Sequence, residues 1–244
     1  MKFGLSLISL GAVAIAGAQT VVPNNLANTG GNATFAFFVE GSSTRTYQSV
    51  FAASQLTDLV GRNLTGVSFR INAGSNGWPG AGGTMSMFDV RIGEGVAPSA
   101  ISSTFANNFL SSPSLVRSGA LTIDAGAFGN GGSPNAFGQV IGFDTPYLYS
   151  GGNLTIEYRY TGMPMGTGQP IFDAAFTGQE GFGTEYASAF AIFNTATEAW
   201  LSGASSRAIV TQFCSAAAPV PEPATMAALG LGALGLMGKR RKKA

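Results

Sequence analysis

The sequence predicts an all-β fold, an antiparallel β-sandwich of jelly-roll type, on the basis of three observations. Glycine is abundant, with 35 of 244 residues, and charged residues make up only 10% of the chain. Apolar and polar residues alternate over several short stretches, most clearly at 154–160, as they do in strands with one buried face. Long runs of Glu, Lys and Leu, which favour helices, are missing. Many short strands joined by glycine-rich turns are therefore expected.

The N-terminal segment, residues 1–18, has the parts of a secretory signal peptide. Lys2 carries the positive charge, an apolar stretch follows, and Ala16 and Ala18 form an A-x-A cleavage site before Gln19. An N-terminal membrane anchor is the alternative, but the apolar stretch is short for one. We expect export by the Sec machinery and removal of this segment by signal peptidase.

Composition limits what the predicted exported domain, residues 19–214, can do. Its size suits one sandwich with a substantial core. Six of the 13 Lys and Arg residues and one of the 12 acids lie outside it, which leaves seven cations, 11 acids and a net charge of −4. A mildly acidic domain without lysine is not expected to bind nucleic acid. Histidine, the commonest general base and metal ligand, is absent from the sequence.

Cys214 is the only cysteine, so the sequence excludes a disulfide within the chain and a cysteine-based zinc site. We interpret Cys214 as a small buried side chain at the end of a strand. The alternative is a disulfide between two chains in an oxidising compartment.

The first half of the domain is expected to contain four strands and one helical turn. Residues 19–33 are polar and rich in Asn and Gly, and are interpreted as a loose lead-in. Apolar residues at helical spacing predict a turn of helix over 54–60, with Ser54 as the N-cap. Alternation places Arg70 on a wet outer face. The predicted strands are 34–39, 45–51, 65–71 and 85–92.

The second half is expected to contain short strands separated by glycine-rich loops. In the clearest strand, 154–160, Tyr158 lies on the core face, while Glu157 and Arg159 lie on the opposite, outward face. The other predicted strands are 115–116, 121–123, 140–143, 171–176, 190–193 and 208–213.

A glycoside hydrolase needs a pair of carboxylates, for which the sequence offers four candidates: Asp89, Glu157, Asp144 and Asp173. Asp89 and Glu157 alternate with core residues beside Arg91 and Arg159, so cross-strand ion pairing accounts for them. No catalytic residue is therefore assigned.

Acidic side chains near loops are candidate ligands for a Ca²⁺ ion. The sequence lacks the spacing of an EF-hand or a calcium repeat, however, and we expect no cofactor or metal. The loop acids in question are Asp144, Asp173 and Glu180.

Trp78, in a loop of Gly and Pro residues, is the candidate ligand-binding residue of the domain. An exposed aromatic ring could stack on a sugar, with Trp200 or Tyr186 in support. Burial of each ring as a loop anchor is the alternative.

The C-terminal segment, residues 221–244, follows a linker predicted at 215–220 and has three parts in order. Alternating prolines hold the backbone of the first part extended and without internal hydrogen bonds, so that a protease can bind it. An apolar run at 224–238 predicts a short hydrophobic helix of about 22 Å, against about 30 Å of bilayer hydrocarbon. Five consecutive cations then stop transfer across the inner membrane. The first part is Pro221, Glu222 and Pro223, and the cations are Lys239, Arg240, Arg241, Lys242 and Lys243.

This order of parts resembles the PEP-CTERM sorting signal of exported bacterial proteins. The resemblance implies recognition at Pro221, Glu222 and Pro223 by an exosortase, a membrane protease and transpeptidase. It also implies an inner-membrane precursor that is delivered to the cell surface or an extracellular polysaccharide matrix. The strand pattern between Tyr47 and about Tyr160 resembles a β-sandwich domain that recurs in proteins with this signal.

We therefore expect a non-enzymatic exported protein of the cell surface or matrix, associated with exopolysaccharide and sorted through Glu222. A carbohydrate-binding module and an exported hydrolase are the alternatives. For the tail, retention as a single-pass anchor is the alternative to cleavage.

Overall fold

The computed structural model describes residues 18–218. The signal-peptide prediction up to Gly17, the sorting motif, the short hydrophobic helix and the cation cluster lie outside these residues. The strands are β1 (Ala18–Val22), β2 (Ala33–Phe35), β3 (Thr44–Phe51), β4 (Arg62–Phe69), β5 (Gly83–Met85), β6 (Phe88–Glu94), β7 (Ser114–Arg117), β8 (Leu121–Ile123), β9 (Ile141–Tyr149), β10 (Leu154–Thr161), β11 (Phe172–Ala175), β12 (Tyr186–Ala191), β13 (Leu201–Ser202), β14 (Ala208–Ile209) and β15 (Thr211–Ala217). Short 3₁₀ helices cover Asn24–Leu26, Ala53–Leu59, Pro98–Ala100, Phe105–Asn108 and Gly203–Ser205.

Two antiparallel sheets form the body of the protein. A four-stranded sheet has the order β1-β15-β4-β9, and a six-stranded sheet has the order β13-β12-β3-β10-β6-β7. Smaller sheets, β14-β11-β2 and β5-β8, complete the fold. The ladders between named strands are antiparallel. The predicted all-β sandwich is therefore confirmed.

Aromatic side chains join the two main sheets. Phe69 of β4 lies 5.8 Å from Tyr158 of β10, and Phe213 of β15 lies 5.8 Å from Phe51 of β3, measured between ring centroids. Phe37, between β2 and β3, is fully buried and packs against both Phe69 and Tyr158. Alternating residues of facing strands thus meet in one core, which supplies most of the favourable free energy of folding.

The predicted loose lead-in at 19–33 is wrong, because most of this segment is held in place. Its first residues form β1, and Leu26 is 2% exposed. Arg70 is also buried, at 1% exposure, so its predicted outer face is not wet. The Arg70 guanidinium donates hydrogen bonds to the carbonyls of Leu26, Ala27 and Thr29, and it forms an ion pair with Asp173 at 2.8 Å. Residues from the 19–33 segment therefore cover the face of the sheet on which Arg70 lies.

Several predicted boundaries differ from the observed ones. The strand at 34–39 ends at Phe35, and Phe37 and Phe38 beyond it are both fully buried. The helical turn at 54–60 is present as the 3₁₀ helix Ala53–Leu59, but its N-cap is Ala52 rather than Ser54. The strand at 140–143 continues to Tyr149.

Candidate functional site

Both ends of the described chain lie at one corner of the sandwich. β1 and β15 are antiparallel neighbours, with Ala18 opposite Ser215. The Ser215 hydroxyl donates to the Ala18 carbonyl at 3.2 Å and accepts a hydrogen bond from Nε of Arg62 at 2.8 Å. The predicted signal cleavage site, before Gln19, and the chain that continues into the tail after Ala217 therefore leave the fold side by side.

Only a short piece of chain separates the fold from the predicted sorting motif. β15 runs to Ala217, so the linker predicted at 215–220 begins at least three residues later than expected. Ala216 and Ala217 remain in the ladder with β4. Covalent geometry then limits the distance from the Cα atom of Ala217 to that of Pro221 to roughly 14 Å. A protease that binds Pro221 acts close to the folded domain.

Trp78 is not an exposed platform, and its prediction as a ligand-binding residue is corrected. The side chain is 5% exposed and packs between Phe38 and Phe128, with centroid distances of 5.5 and 5.7 Å. The indole N–H donates to the Gly168 carbonyl at 2.9 Å. Trp78 is thus a loop anchor, the alternative considered from the sequence.

The two supporting aromatic residues differ in position. Tyr186 is fully buried, and its hydroxyl donates to the Glu180 carbonyl at 2.6 Å. Trp200 is 67% exposed. Of the three aromatic side chains considered for sugar stacking, Trp200 is therefore the one that solvent reaches.

Glu157 lies on the outer face of β10 as predicted, but this face is covered. The side chain is 5% exposed. Its carboxylate accepts hydrogen bonds from Nε2 of Gln48 at 2.8 Å and Nε of Arg159 at 2.6 Å, and Arg91 approaches to 3.6 Å from β6. The predicted cross-strand ion pairing of Glu157 is confirmed, and both carboxylate oxygens are engaged. Phe105 lies in the covering segment, since its carbonyl accepts a second hydrogen bond from Gln48 at 3.1 Å.

A hollow of about 370 Å³ opens above this network. Glu157 is the one acid among its lining residues in the described part of the chain. A glycosidase needs two carboxyl groups that face one cleft. Glu157 is therefore an ion-pairing residue at this hollow, and no second carboxyl group of the described residues lines the hollow to complete a catalytic pair. The remaining lining residues are Thr104, Phe105, Ala106, Phe109, Ser111, Ser112, Pro113, Arg159 and Thr197.

Three of the other candidate acids, Asp89, Asp144 and Asp173, make structural contacts. Asp173 is 2% exposed and paired with Arg70, so it is a core residue rather than a loop ligand. Asp89 accepts a hydrogen bond from the Ser118 hydroxyl at 2.9 Å, and Asp144 accepts one from the Ser118 backbone N–H at 2.9 Å. Within residues 18–218, no group of three or more His, Cys, Asp or Glu side chains is arranged to hold a metal ion.

Cys214 lies within β15, opposite Gln19 on one side and Gly66 on the other. Its side chain is half-buried rather than fully buried, and burial raises the pKa of the thiol. The thiolate is the reactive form of cysteine, so this position does not activate it.

Comparisons with known proteins identify the C-terminal segment. A family model described as the PEP-CTERM protein-sorting motif matches residues 219–242. No curated protein and no solved structure matches the chain. Among residues 18–218, no helix is long and apolar enough to cross a membrane. The matched motif implies export, a membrane-anchored precursor and processing by an exosortase. The chain therefore carries a PEP-CTERM sorting motif at residues 219–242 and is an exported protein of the kind that an exosortase sorts.

Proposed function

We propose that the chain is a non-enzymatic protein of the cell surface or extracellular matrix that associates with exopolysaccharide. The match of residues 219–242 to the sorting motif carries this proposal. Within that segment, we assign recognition to Pro221, Glu222 and Pro223. The five cations from Lys239 to Lys243 hold the precursor in the membrane until the tail is cut.

The corner geometry supports two successive cleavages of one folded domain. Removal of residues 1–18 leaves Gln19–Val22 paired with β15, and a cut near Pro221 leaves β15 whole. Neither cleavage removes a residue of the aromatic core. The domain that reaches the surface therefore keeps the fold described above.

The role outside the cell is tested by fractionation. Deletion of residues 221–244 should shift the chain from the surface and matrix fractions into the soluble periplasmic fraction or the medium. Leu110→Ala, at an exposed residue of the folded domain outside the matched segment, serves as the control and should leave the distribution unchanged. An unaltered distribution of the deleted chain would refute the proposal.

A carbohydrate-binding module is the second candidate function. One observation favours it, which is the exposure of Trp200. Screening the exported chain on a glycan array tests this candidate directly.

Hydrolase activity is separated from both candidates by a substitution at Glu157. If the chain turned over a glycan, Glu157→Gln would abolish turnover while the fold survived. We expect no turnover in either the wild-type chain or this variant.

A further inference from the structure

Three large apolar side chains are exposed on the loop between β12 and β13. Ile192, Phe193 and Trp200 are 44%, 62% and 67% exposed. We call these three side chains the Trp200 surface. Exposed single apolar residues are ordinary, but exposed apolar residues that lie together mark interaction sites, and these three line one hollow.

The Trp200 surface is built on backbone that the rest of the fold holds in place. The Trp200 N–H donates to the Phe190 carbonyl at 2.8 Å, and the indole stands edge-on to the Phe190 ring at 6.1 Å. The hydroxyl of Thr46, a buried residue of β3, donates to the Phe193 carbonyl at 2.7 Å. Phe190 in turn packs against Phe35. The backbone that carries both exposed rings is therefore held in place, which lowers the entropy lost on binding.

Two hollows flank the Trp200 surface, and both are lined by Ile192 and Phe193. The hollow of about 280 Å³ also contains Trp200 and Glu198. The hollow of about 390 Å³ adds hydroxyl and amide groups from Ser42, Ser43, Thr44 and Gln169. Aromatic rings and hydrogen-bonding groups thus line two hollows that share Ile192 and Phe193.

Charge on this surface is small and partly engaged. Arg45 lines the larger hollow, but its guanidinium lies over the rings of Phe35 and Phe190 at 5.1 and 5.3 Å and donates to the Ala36 carbonyl. Among residues 18–218, Glu198 is the one acid that lines either hollow. The few charges that line these hollows do not complement a strongly charged ligand, whereas a neutral ligand rich in hydroxyl groups needs no charged partner.

We propose that the Trp200 surface and its two hollows bind a chain of neutral sugar units. The C–H face of a pyranose ring packs on an aromatic ring, and its equatorial hydroxyl groups reach hydrogen-bonding groups at the rim of the contact. Phe193, shared by the two hollows, places adjacent sugar units on either side of it. This inference rests on the proposed function and names the site and the ligand class of that function.

Native electrophoresis in gels that contain soluble polysaccharide tests the site. The full-length chain is run through gels with hydroxyethylcellulose, dextran or a β-1,3-glucan, and through gels with the acidic polymer alginate. At least one neutral polymer should retard it. Trp200→Ala and Phe193→Ala should each weaken the apparent affinity about tenfold or more, as loss of a central aromatic contact does. Trp200→Tyr should restore part of the binding, and Leu110→Ala, at a residue 61% exposed elsewhere, should have no effect.

Tryptophan fluorescence gives a second, independent readout, because the chain has only two Trp residues. Trp78 is buried and Trp200 is exposed. The neutral polymer that retards the chain should shift its emission to shorter wavelength, and Trp200→Phe should abolish the shift while the unfolding midpoint stays unchanged.

The proposal is overturned if no neutral polymer retards the chain, if alginate binds more tightly, or if the two Ala variants bind as the wild type does. A change of oligomeric state in these variants, with unchanged sugar binding, would assign the surface to a second copy of the chain. If the chain binds sugar through Trp200 but is absent from the matrix fraction, the proposed function is rejected and the binding site stands. If the wild-type chain lies in the matrix fraction and the Trp200→Ala variant binds sugar as well as the wild type does, this site is rejected and the proposed function stands.

Discussion

Ala18 and Ser215 are register partners in the outermost ladder of the four-stranded sheet, and the Ser215 hydroxyl donates to the Ala18 carbonyl. The first and last strands of the fold are therefore neighbours. This pairing places the predicted signal cleavage site and the end of β15, from which the chain continues toward the sorting segment, at one corner.

The strand that begins at this corner belongs to the folded domain, and one pair of variants tests that claim. Val22 is fully buried, whereas Gln19 on the same strand is exposed. Val22→Ala should lower the free energy of unfolding by about 2 kcal/mol, because it removes buried methyl groups and leaves a cavity. Gln19→Ala should change it by less than about 0.5 kcal/mol. Urea denaturation measures both, and equal effects would show that β1 does not pack on the core.

The buried ion pair between Arg70 and Asp173 predicts a large loss of stability on removal of one charge. Both side chains are almost fully buried, and Asp173 also accepts a hydrogen bond from the Gly31 N–H at 2.8 Å. Asp173→Asn should cost about 3–5 kcal/mol, because it leaves the Arg70 charge buried without compensation. Asp58→Asn, at an exposed acid, is the control and should leave the denaturation midpoint in place. A loss below 1 kcal/mol in Asp173→Asn would contradict the burial of the pair.

Two tyrosines in the same aromatic cluster should respond in opposite ways to loss of the hydroxyl group. The Tyr158 hydroxyl is buried and has no hydrogen-bond partner among the described residues. The Tyr47 hydroxyl donates to the Arg207 carbonyl and accepts from the Ile209 N–H, both at 2.9 Å. Tyr158→Phe should raise the free energy of unfolding by about 1 kcal/mol, while Tyr47→Phe should lower it by about 1–3 kcal/mol. Thermal or urea unfolding of both variants decides this, and a destabilised Tyr158→Phe would reveal a partner for that hydroxyl.

Buried tyrosines also predict unfolding in alkali. Burial raises the pKa of Tyr47, Tyr158 and Tyr160 above the ordinary value of about 10. The folded chain then holds protons that the unfolded chain releases, so this contribution to stability is complete below pH 10 and decreases as the pH rises above it. Absorbance at 295 nm and far-ultraviolet circular dichroism should change together. Ionisation of all six tyrosines near pH 10 with the fold intact would contradict this burial.

The strands with the clearest alternation could be predicted from sequence, because alternation records one buried face. β10 is the clearest case, and Tyr158 lies on its core face as expected. The opposite face could not be predicted, because alternation does not show what covers it. Arg70 and Glu157 both read as solvent-facing residues, yet other chain segments bury them with partners distant in sequence.

Aromatic residues outside the strands were the least predictable part of the candidate site. Trp78 and Trp200 both follow polar or small residues, and only tertiary contacts decide which of them is buried. The sequence predicts a strand at 190–193, but β12 ends at Ala191 and leaves Phe193 exposed in the following loop. Four of the five residues that follow it are polar, which is the local signal that the strand ends there: Asn194, Thr195, Thr197 and Glu198.

The sorting role is tested most directly by the intact mass of the chain recovered from the cell surface. We predict an N-terminus at Gln19 and a C-terminus near Pro221, so that the mass lacks both the signal peptide and the cationic tail. With Pro221, Glu222 and Pro223 all changed to Ala, the chain should keep the tail and accumulate as a membrane-bound precursor. Recovery at the surface of full-length chain that ends at Ala244, or an identical mass in the wild type and the triple variant, would contradict the account.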